Sequence, residues 1–341
     1  MTRLLVVAHE ATRTGSPRVL LELLRRTLPG HDGEVAVRLL AEGPLADELR
    51  ELGTTSPIGF RPDVALLNSA PSAAVALELD DGVRVVAYVH EEGEALEVLP
   101  QAAVDGLVGR CDRVLCVSHA ARADLAAMGV PDDRLEVLPP SVRTAPLDGG
   151  PDRAALADQV GADPALPMVV GCGEAGWRKG ADLFVDTARR STTPATWVWV
   201  GRRPRSFGRV LDNDVTAAGL GGRVRWAGEV ADARPFLAAA DLVLMPSRED
   251  PQPLVPLEAA VVGTPSAGFA VGGLQRLADD GAMVVVPYPD TVALAGAVDE
   301  LLADDARRGA LARVALELVR KRHDVDVLAR RFAEELWTGG R

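Results

Sequence analysis

Short runs of apolar, mostly β-branched residues alternate with amphipathic stretches along almost all of this 341-residue chain. The first apolar run, RLLVVA at residues 3–8, is followed by an amphipathic stretch over residues 17–28. Strands that are apolar throughout are typical of parallel sheets covered by helices on both faces. The alternation therefore predicts an α/β chain built from successive βαβ units.

The same pattern sets the expected elements and domains. The predicted strands cover residues 3–8, 34–40, 64–68, 84–89, 113–118, 135–139, 167–173, 196–201, 223–228, 241–247, 264–269 and 282–287. The predicted helices include residues 17–28, 44–53, 72–80, 119–129, about 291–319, and 324–337. A stretch rich in Pro, Gly and Asp over about 139–150 interrupts the alternation and predicts a linker. We expect two Rossmann-like domains, residues 1–145 and 146–322, followed by a C-terminal segment over residues 323–341.

Charge and composition exclude several classes of function. The formal net charge is −12, and no basic stripe or basic amphipathic helix is visible, which argues against nucleic acids and stable membrane insertion. No apolar run approaches the roughly 18 residues that a membrane span needs, and the start of the chain lacks a signal-peptide cleavage site. Cys111, Cys116 and Cys172 form no CxxC pair, so we expect free thiols in a reducing cytoplasm and no metal site.

Lys179 is one of only two lysines in a chain that otherwise uses arginine for its basic residues. It follows the predicted strand at 167–173 and precedes the helical sequence GADLFVDTARR. Ligands of open parallel sheets bind beyond the carboxyl ends of the strands. There Arg178, Lys179 and a helix N-terminus would converge on one point, which suits a diphosphate. The alternative is a solvated basic loop.

A competing interpretation uses the glycines just before this lysine. Gly171-x-Gly173-x-x-Gly176 matches the dinucleotide fingerprint, and Arg202 and Arg203 could accept a 2′-phosphate. An NADP-dependent oxidoreductase is therefore an alternative function. The third glycine of that fingerprint normally precedes small apolar residues, whereas a bulky, doubly charged Trp-Arg-Lys follows here, which disfavours nicotinamide binding.

A second polar group follows the predicted strand at 241–247. Asp250 is separated from Glu258 by a turn-forming Pro-Gln-Pro, and a helix is expected to begin at about Leu254. The backbone N–H groups of Leu254 and Val255 would then lie in its first turn and be able to meet an anion. Glu258 is a lone charge in an apolar run, where a carboxylate is seldom placed without a partner.

These motifs occur together in a known order. The chain reads Pro-Ser at 246–247, Asp250, Glu258-Ala259 and Gly-Thr-Pro at 263–265, with Lys179-Gly180, Gly201, Gly228-Glu229-Val230 and Gly272-Gly273 around them. In this order, residues 165–290 resemble the donor-binding domain of retaining glycosyltransferases with the GT-B fold, most closely glycosyltransferase family 4. The resemblance implies two Rossmann-like domains that face each other across a cleft. Residues 323–341 would carry a helix that returns to the N-terminal, acceptor-binding domain.

The resemblance also implies a function and residue roles. A sugar would pass from a nucleotide diphosphate donor, such as a UDP- or GDP-sugar, to an acceptor hydroxyl with retained anomeric configuration and without an obligatory metal. The residues implied in donor binding are Gly15, Ser16, Arg178, Lys179, Gly201, Gly228, Glu229, Val230, Leu254, Val255 and Glu258. Asp250, or Glu249 beside it, would contact the hydroxyls of the transferred sugar, and His90 would lie beside the reacting centre. Whether His9 takes part stays open.

Departures and alternatives remain. The first acidic residue of the family pattern is Asp250 here, one methylene shorter than glutamate, and Pro253 offers no N–H to a phosphate. The acidic residues over 90–97 favour a neutral or cationic acceptor, such as a polysaccharide or an amine-bearing metabolite; a solvated helix face is the alternative. A nucleotide-sugar epimerase or a sugar phosphorylase on the same fold is a further possibility. The oligomeric state cannot be predicted.

Overall fold

The computed structural model describes residues 2–145, 147, 149–150 and 152–337. These residues divide into two compact units. Unit 1 comprises the residues up to 142 together with those from 322 onward, and unit 2 comprises residues 143–321.

The strands are short and mostly buried, as the apolar runs predict. They are β1 Leu4–Ala8, β2 Val35–Leu39, β3 Val64–Asn68, β4 Arg84–Val89, β5 Arg113–Cys116, β6 Leu135–Val137, β7 Met168–Cys172, β8 Thr196–Val200, β9 Val224–Gly228, β10 Leu242–Met245, β11 Ser266–Phe269 and β12 Val284–Val286.

Most of the described helices lie between these strands, and the last three follow the final strand. They are α1 Gly15–Thr27, α2 Ala46–Arg50, α3 Glu94–Glu97, α4 Gln101–Asp105, α5 His119–Met128, α6 Arg153–Val160, α7 Ala181–Arg190, α8 Arg205–Ala217, α9 Arg234–Ala239, α10 Leu254–Val261, α11 Gly272–Asp279, α12 Thr291–Ala303, α13 Asp305–Arg322 and α14 Val325–Trp337. Within the described residues, no helix is both long enough and apolar enough to cross a membrane.

Each unit is built on one parallel sheet. The order is β2-β1-β3-β4-β5-β6 in unit 1 and β12-β11-β10-β7-β8-β9 in unit 2. In unit 1 the chain adds β2 on one side of β1 and β3 on the other, so the order reverses between β1 and β3. In unit 2 the corresponding reversal lies between β7 and β10. Parallel sheets bind ligands at the carboxyl edge beside such a switch point, and these two places are where a site is expected.

The core of unit 2 forms around aromatic residues of β8. Trp197 and Trp199 are fully buried there, and Phe184 of α7 meets their rings at centroid distances of 5.4 and 5.2 Å with edge-to-face geometry. Such pairs add to the stabilisation that burial of apolar area already provides. This packing fixes α7 against the sheet and thereby fixes the loop that precedes α7.

The last helix, α14, belongs to unit 1 and packs on α1. The Arg26 side chain of α1 donates to Asp326 at 2.7 Å, and the rings of His31 and Trp337 stack with centroids 4.5 Å apart. Phe332 is fully buried. The predicted return of the C-terminal helix to the N-terminal part of the chain is confirmed.

Three predicted helices differ from the observed ones. The α-helix expected over 72–80 is replaced by a 3₁₀ segment, Ala70–Glu78, with Pro71 in its first turn. The helix expected over 44–53 is limited to α2, Ala46–Arg50. The helix expected over 291–319 is divided into α12 and α13 because Asp304 accepts a hydrogen bond from the Arg307 N–H and caps the second helix.

Candidate functional site

In unit 2, the loops that follow β7, β8 and β10 pack closely through glycines. A Cβ atom on Gly201 would lie 2.0 Å from the Gly173 carbonyl oxygen, and one on Gly180 would lie 1.9 Å from the Pro246 carbonyl oxygen. Gly180 also has a φ of +69°, which other residues rarely adopt. Only glycine fits at these two positions, and the close approach holds the loop of Lys179 against the loop of Asp250.

Lys179 and Asp250 form a part-buried ion pair at the switch point of unit 2. The Lys179 Nζ donates to Asp250 Oδ2 at 2.7 Å, and the side chains are 15% and 4% exposed. The Ser247 hydroxyl donates to the same carboxylate oxygen at 3.1 Å. A lysine ammonium has three N–H donors, and Asp250 takes one of them. The two residues that the sequence proposes for the site, 71 positions apart, are therefore in direct contact.

Arg178 and Glu249 lie beside this pair but at the surface. The Arg178 Nη1 donates to the Glu249 carbonyl oxygen at 3.1 Å, and the Arg178 carbonyl accepts from the Arg248 N–H at 2.9 Å. The Glu249 side chain is exposed, whereas that of Asp250 is turned to Lys179. Of the two candidate carboxylates, only Asp250 contacts the lysine.

Helix α10 begins at Leu254, as the sequence predicts. Pro253 precedes it, and its side chain does not cap the N-terminus of the helix. Leu254 and Val255 are half-buried, and their N–H groups lie in the first turn. Glu258 lies one turn further along and is only 7% exposed. The start of this helix directly follows the loop that carries Asp250.

The remaining residues proposed for unit 2 lie at the ends of β8 and β9. The Gly201 N–H donates to the Gly228 carbonyl at 2.8 Å, so the two strand ends are joined. Gly228 has a φ of +75°. Glu229 is exposed and Val230 is half-buried. This brings Gly228–Val230 to the same carboxyl edge of the sheet as Lys179, two strands away from β7.

The first glycine of the dinucleotide-like motif, Gly171, serves packing within unit 2. A Cβ atom on Gly171 would lie 2.6 Å from the Trp199 ring, and α7 begins at Ala181, well after Gly176. The arginines considered for a 2′-phosphate are engaged with carboxylates: Arg202 with Glu174 and Arg203 with Asp212. The third glycine of a dinucleotide fingerprint packs a helix close to its strand, and Gly176 does not lie in a helix.

Unit 1 has a polar cluster at its own switch point. Gly15 and Ser16 open α1, and the Ser16 Oγ accepts from the Asn68 Nδ2 at 2.8 Å. The Ser16 and Ser69 hydroxyls are also 2.8 Å apart. The His90 Nε2, after β4, lies 3.0 Å from the Asn68 Oδ1. The sequence singled out Gly15, Ser16 and His90, and the structure brings all three to one cluster.

Asn68 and Ser69 were not anticipated. A usable signal was present, because Asn68 is the polar last residue of the otherwise apolar strand VALLN and therefore lies at the carboxyl edge. Asn68 pairs in register with Ala8 of β1 and with Tyr88 of β4. His9, the next residue after β1, has a buried Nδ1 with no hydrogen-bond partner.

His90 is a neutral imidazole held by its neighbours. Burial lowers the pKa of His90 to about 3, because desolvation disfavours the charged form. Its ring lies 4.3 Å from that of Tyr88. The Glu91 carboxylate accepts from the His90 N–H at 3.0 Å and from the Ala70 N–H at 2.9 Å.

Carboxylates elsewhere are engaged in local structure. Asp212, of an Asp-Asn-Asp sequence, lies in α8 and pairs with Arg203. Asp324, of an Asp-Val-Asp sequence, accepts from the Asp326 and Val327 N–H groups at the start of α14. In the part of the chain that the structure describes, no group of three His, Cys, Asp or Glu side chains could hold a metal ion.

Solved structures of low sequence identity share this fold. The structure of HepE from Anabaena in complex with UDP-glucose superposes with a TM-score of 0.86, covers 99% of this chain and 100% of that chain, and is 19% identical. Two parallel α/β units of this kind, matched over the whole chain, define the GT-B fold. The predicted fold class is confirmed.

Family models of glycosyltransferases match both halves of the chain. The model described as "Glycosyltransferase Family 4" matches residues 5–145, and the model described as "Glycosyl transferases group 1" matches residues 167–304. The two matches lie in different halves of the chain, and the chain is similar to glycosyltransferases of both descriptions.

Curated relatives match over part of their length. A D-inositol 3-phosphate glycosyltransferase of Xylanimonas cellulosilytica is 32% identical over 62% of this chain and 54% of that protein. A 2-deoxystreptamine N-acetyl-D-glucosaminyltransferase of Streptomyces fradiae is 32% identical over 61% of this chain and 51% of that protein. The chain thus spans about half the length of the curated relatives it matches.

Proposed function

We propose that the protein transfers a sugar from a UDP-sugar to a hydroxyl group of an acceptor, with retention of the anomeric configuration. The observation that carries this proposal is the Lys179–Asp250 pair at the switch point of unit 2, 2.7 Å apart and next to the start of α10. The pair places a cation that could bind a diphosphate beside a carboxylate that could accept hydrogen bonds from sugar hydroxyls, both within one unit. The HepE structures with UDP and UDP-glucose support uracil as the base.

In this proposal the diphosphate is held by Lys179, Arg178 and the first-turn N–H groups of α10. Lys179 has two N–H donors left after its bond to Asp250. The N–H groups of Leu254 and Val255 carry the positive end of the helix dipole. Because these groups already supply positive charge to the phosphates, the proposal includes no obligatory metal.

The remaining residues would bind the nucleoside and the sugar of the donor. Glu258 would accept from the ribose hydroxyls, and backbone groups of Gly228–Val230, with Gly201 beside them, would face the base. Asp250 would accept from hydroxyls of the transferred sugar. In unit 1, Gly15 and Ser16 would approach the phosphate, and His90 would contact the sugar or the acceptor.

The transfer itself needs no protein nucleophile. The bond between the anomeric carbon and the phosphate oxygen breaks, the acceptor oxygen attacks from the same face, and the acceptor proton goes to the leaving phosphate oxygen. Negative charge grows on the diphosphate in this step. The positive groups around Lys179 would stabilise that charge. In many enzymes, such electrostatic stabilisation of the transition state is the largest contribution to catalysis.

The acceptor is proposed to be neutral or cationic. Glu91 and Glu92 are engaged locally, Glu91 with backbone N–H groups and Glu92 with the Ser118 hydroxyl. The exposed Glu94 and Glu97 of α3 are therefore the carboxylates that support this choice. An amine-bearing acceptor agrees with the relative named for 2-deoxystreptamine. Transfer in the cytoplasm is part of the same proposal.

A donor and acceptor screen tests this function. The purified protein is incubated with UDP-, GDP- and ADP-sugars, with 2-deoxystreptamine or inositol 3-phosphate as acceptor, with and without a chelator. We expect UDP release that survives chelation, and a product whose NMR coupling constants show the donor's anomeric configuration. Inverted product, or release that stops with the chelator, would contradict the proposed mechanism. Preference for inositol 3-phosphate would contradict the proposed acceptor class.

A further inference from the structure

The polar cluster of unit 1 contains two buried residues that the proposed function leaves without a role. Asn68 and Ser69 follow β3 and are 1% and 4% exposed. Asn68 bridges two residues that do have proposed roles, since its Nδ2 donates to the Ser16 Oγ and its Oδ1 lies 3.0 Å from the His90 Nε2. Its side chain thus links the start of α1 to the end of β4.

Ser69 has an unusual backbone conformation. Its φ is 77° and its ψ is 146°, and among the described residues it is the only one other than glycine with a positive φ. A glycine would adopt this conformation without strain. What glycine would lack is the hydroxyl, which lies 2.8 Å from the Ser16 Oγ. A strained serine at a switch point therefore indicates that the hydroxyl is needed there.

The surrounding hydrogen bonds hold Ser69 in this conformation. Its N–H donates to the Tyr88 carbonyl at 2.8 Å, and its own carbonyl accepts from the Ser72 Oγ at 2.7 Å. The next N–H, that of Ala70, donates to Glu91. The segment is thus tied to β4 and to the residue after His90, and the His90 ring and the Ser16 hydroxyl keep a fixed separation.

Asn68 also selects one form of the imidazole. In the orientation that the structure gives the Asn68 amide, its oxygen faces the ring and can only accept a hydrogen bond, which fits a His90 with the proton on Nε2 and an acceptor at Nδ1. The titratable side chains in contact with His90 and its backbone are Tyr88 and Glu91. Glu91 is occupied by two backbone N–H groups, which leaves Asn68 as the ring's hydrogen-bond partner.

We propose that Asn68 and Ser69 are positioning residues for the transfer reaction. They hold His90 in the neutral form with the proton on Nε2, so that Nδ1 accepts a hydrogen bond from a substrate hydroxyl, and they fix Ser16 at the start of α1. Neither residue touches the reacting atoms. This inference rests on the proposed function.

The first test is Asn68→Asp in the full chain. The side chain keeps its size, but the carboxylate favours a doubly protonated His90. We expect UDP release from UDP-glucose to fall by at least about tenfold in kcat, with little change in the Kd of UDP. Nitrogen-15 NMR of the imidazoles, assigned with His90→Gln, should show Nε2–H in the wild type and imidazolium in the variant. An Nδ1–H tautomer in the wild type would overturn the inference.

The second test separates positioning from stability. Ser69→Gly relieves the backbone strain and removes the hydroxyl, whereas Ser69→Ala removes the hydroxyl and keeps the strain. We expect Ser69→Gly to melt at the same or a higher temperature than the wild type and yet to lose kcat as Ser69→Ala does. A Ser69→Gly variant as active as the wild type would show that the hydroxyl does not act in the reaction and would refute the proposal.

The two levels of the proposal fail in different ways. If the wild type releases UDP from no donor, the proposed function is wrong, whatever the NMR spectra show. If the wild type turns over UDP-glucose but its His90 tautomer does not depend on Asn68, the function stands and this inference is wrong.

Discussion

The switch points of the two units occupy equivalent places in similar sheets but carry different chemistry. In unit 2 the switch point holds a charged pair, Lys179 and Asp250, with a second cation, Arg178, beside it. In unit 1 it holds a chain of neutral hydrogen bonds among Ser16, Asn68, Ser69 and His90. Unit 2 is therefore suited to bind a charged group, and unit 1 is suited to orient neutral hydroxyls.

The largest expected effect concerns the charged pair. Lys179→Met leaves the Asp250 carboxylate buried without its cation, which should lower the free energy of unfolding by about 3–5 kcal/mol. The double variant with Asp250→Asn should recover much of this loss. Urea unfolding measures both. Equal destabilisation of the single and double variants would show that the unpaired Asp250 carboxylate does not cause the loss of stability. The contrast between a charged switch point in unit 2 and a neutral one in unit 1 would then not hold.

The two neighbouring acids of unit 2 should differ strongly. Asp250→Asn should lower UDP-sugar turnover by about a hundredfold, because hydroxyl contacts that strengthen in the transition state are lost. Glu249→Gln is the matched control: the same change one residue away, on an exposed side chain, should alter turnover by less than about twofold. Initial rates at saturating donor decide this, and a larger loss in the Glu249 variant would reverse the assignment.

The neutral cluster of unit 1 should respond to pH. The pKa of His90 is lowered to about 3, against about 6.5 in an unfolded chain. Below pH 6.5 the unfolded state binds a proton that the folded state does not, so stability should fall as pH decreases from 6.5 toward 3.

Between pH 6.5 and 5 this term amounts to at most about 2 kcal/mol. His90→Gln should remove that part of the pH dependence, as measured by chemical unfolding at a series of pH values. An unchanged slope in the variant would mean that His90 can be protonated in the folded protein, contrary to a neutral unit 1 cluster.

A smaller effect is expected at Glu258. Glu258→Gln should weaken UDP binding about tenfold, since a hydrogen bond to a charged group contributes about 1.5 kcal/mol or more. A ligand without the ribose 2′-hydroxyl, 2′-deoxy-UDP, should lose less affinity than UDP does on this substitution. Calorimetric titration gives both constants, and an equal loss for the two ligands would argue against a contact with that hydroxyl.

Much of the fold could be predicted, because apolar runs fix where buried strands lie. β3 and β4 have the bounds predicted from the sequence, and Leu254 begins α10 as expected. The segment at 70–78 was misjudged because its alanines fit a helix as well as the tighter 3₁₀ turn that follows the strained Ser69. Local propensity does not distinguish these two forms.

The sequence proposed residues for the site but not the contacts between them. Lys179, Asp250 and Glu258 were proposed from motif order, whereas the contact between Lys179 and Asp250 depends on close packing of two loops 71 residues apart. Asn68 and Ser69 lie in no motif, and their role depends on a backbone conformation that residue types alone do not reveal.

The central claim is that Lys179 binds the diphosphate of the donor. Calorimetry with UDP and with uridine, on the Asp250→Asn variant and on the same variant with Lys179→Met, isolates the lysine without a buried unpaired carboxylate. We predict that removing the lysine weakens UDP binding by at least about tenfold and leaves uridine binding unchanged. Equal affinities for UDP with and without the lysine, or an equal loss for uridine, would contradict the claim.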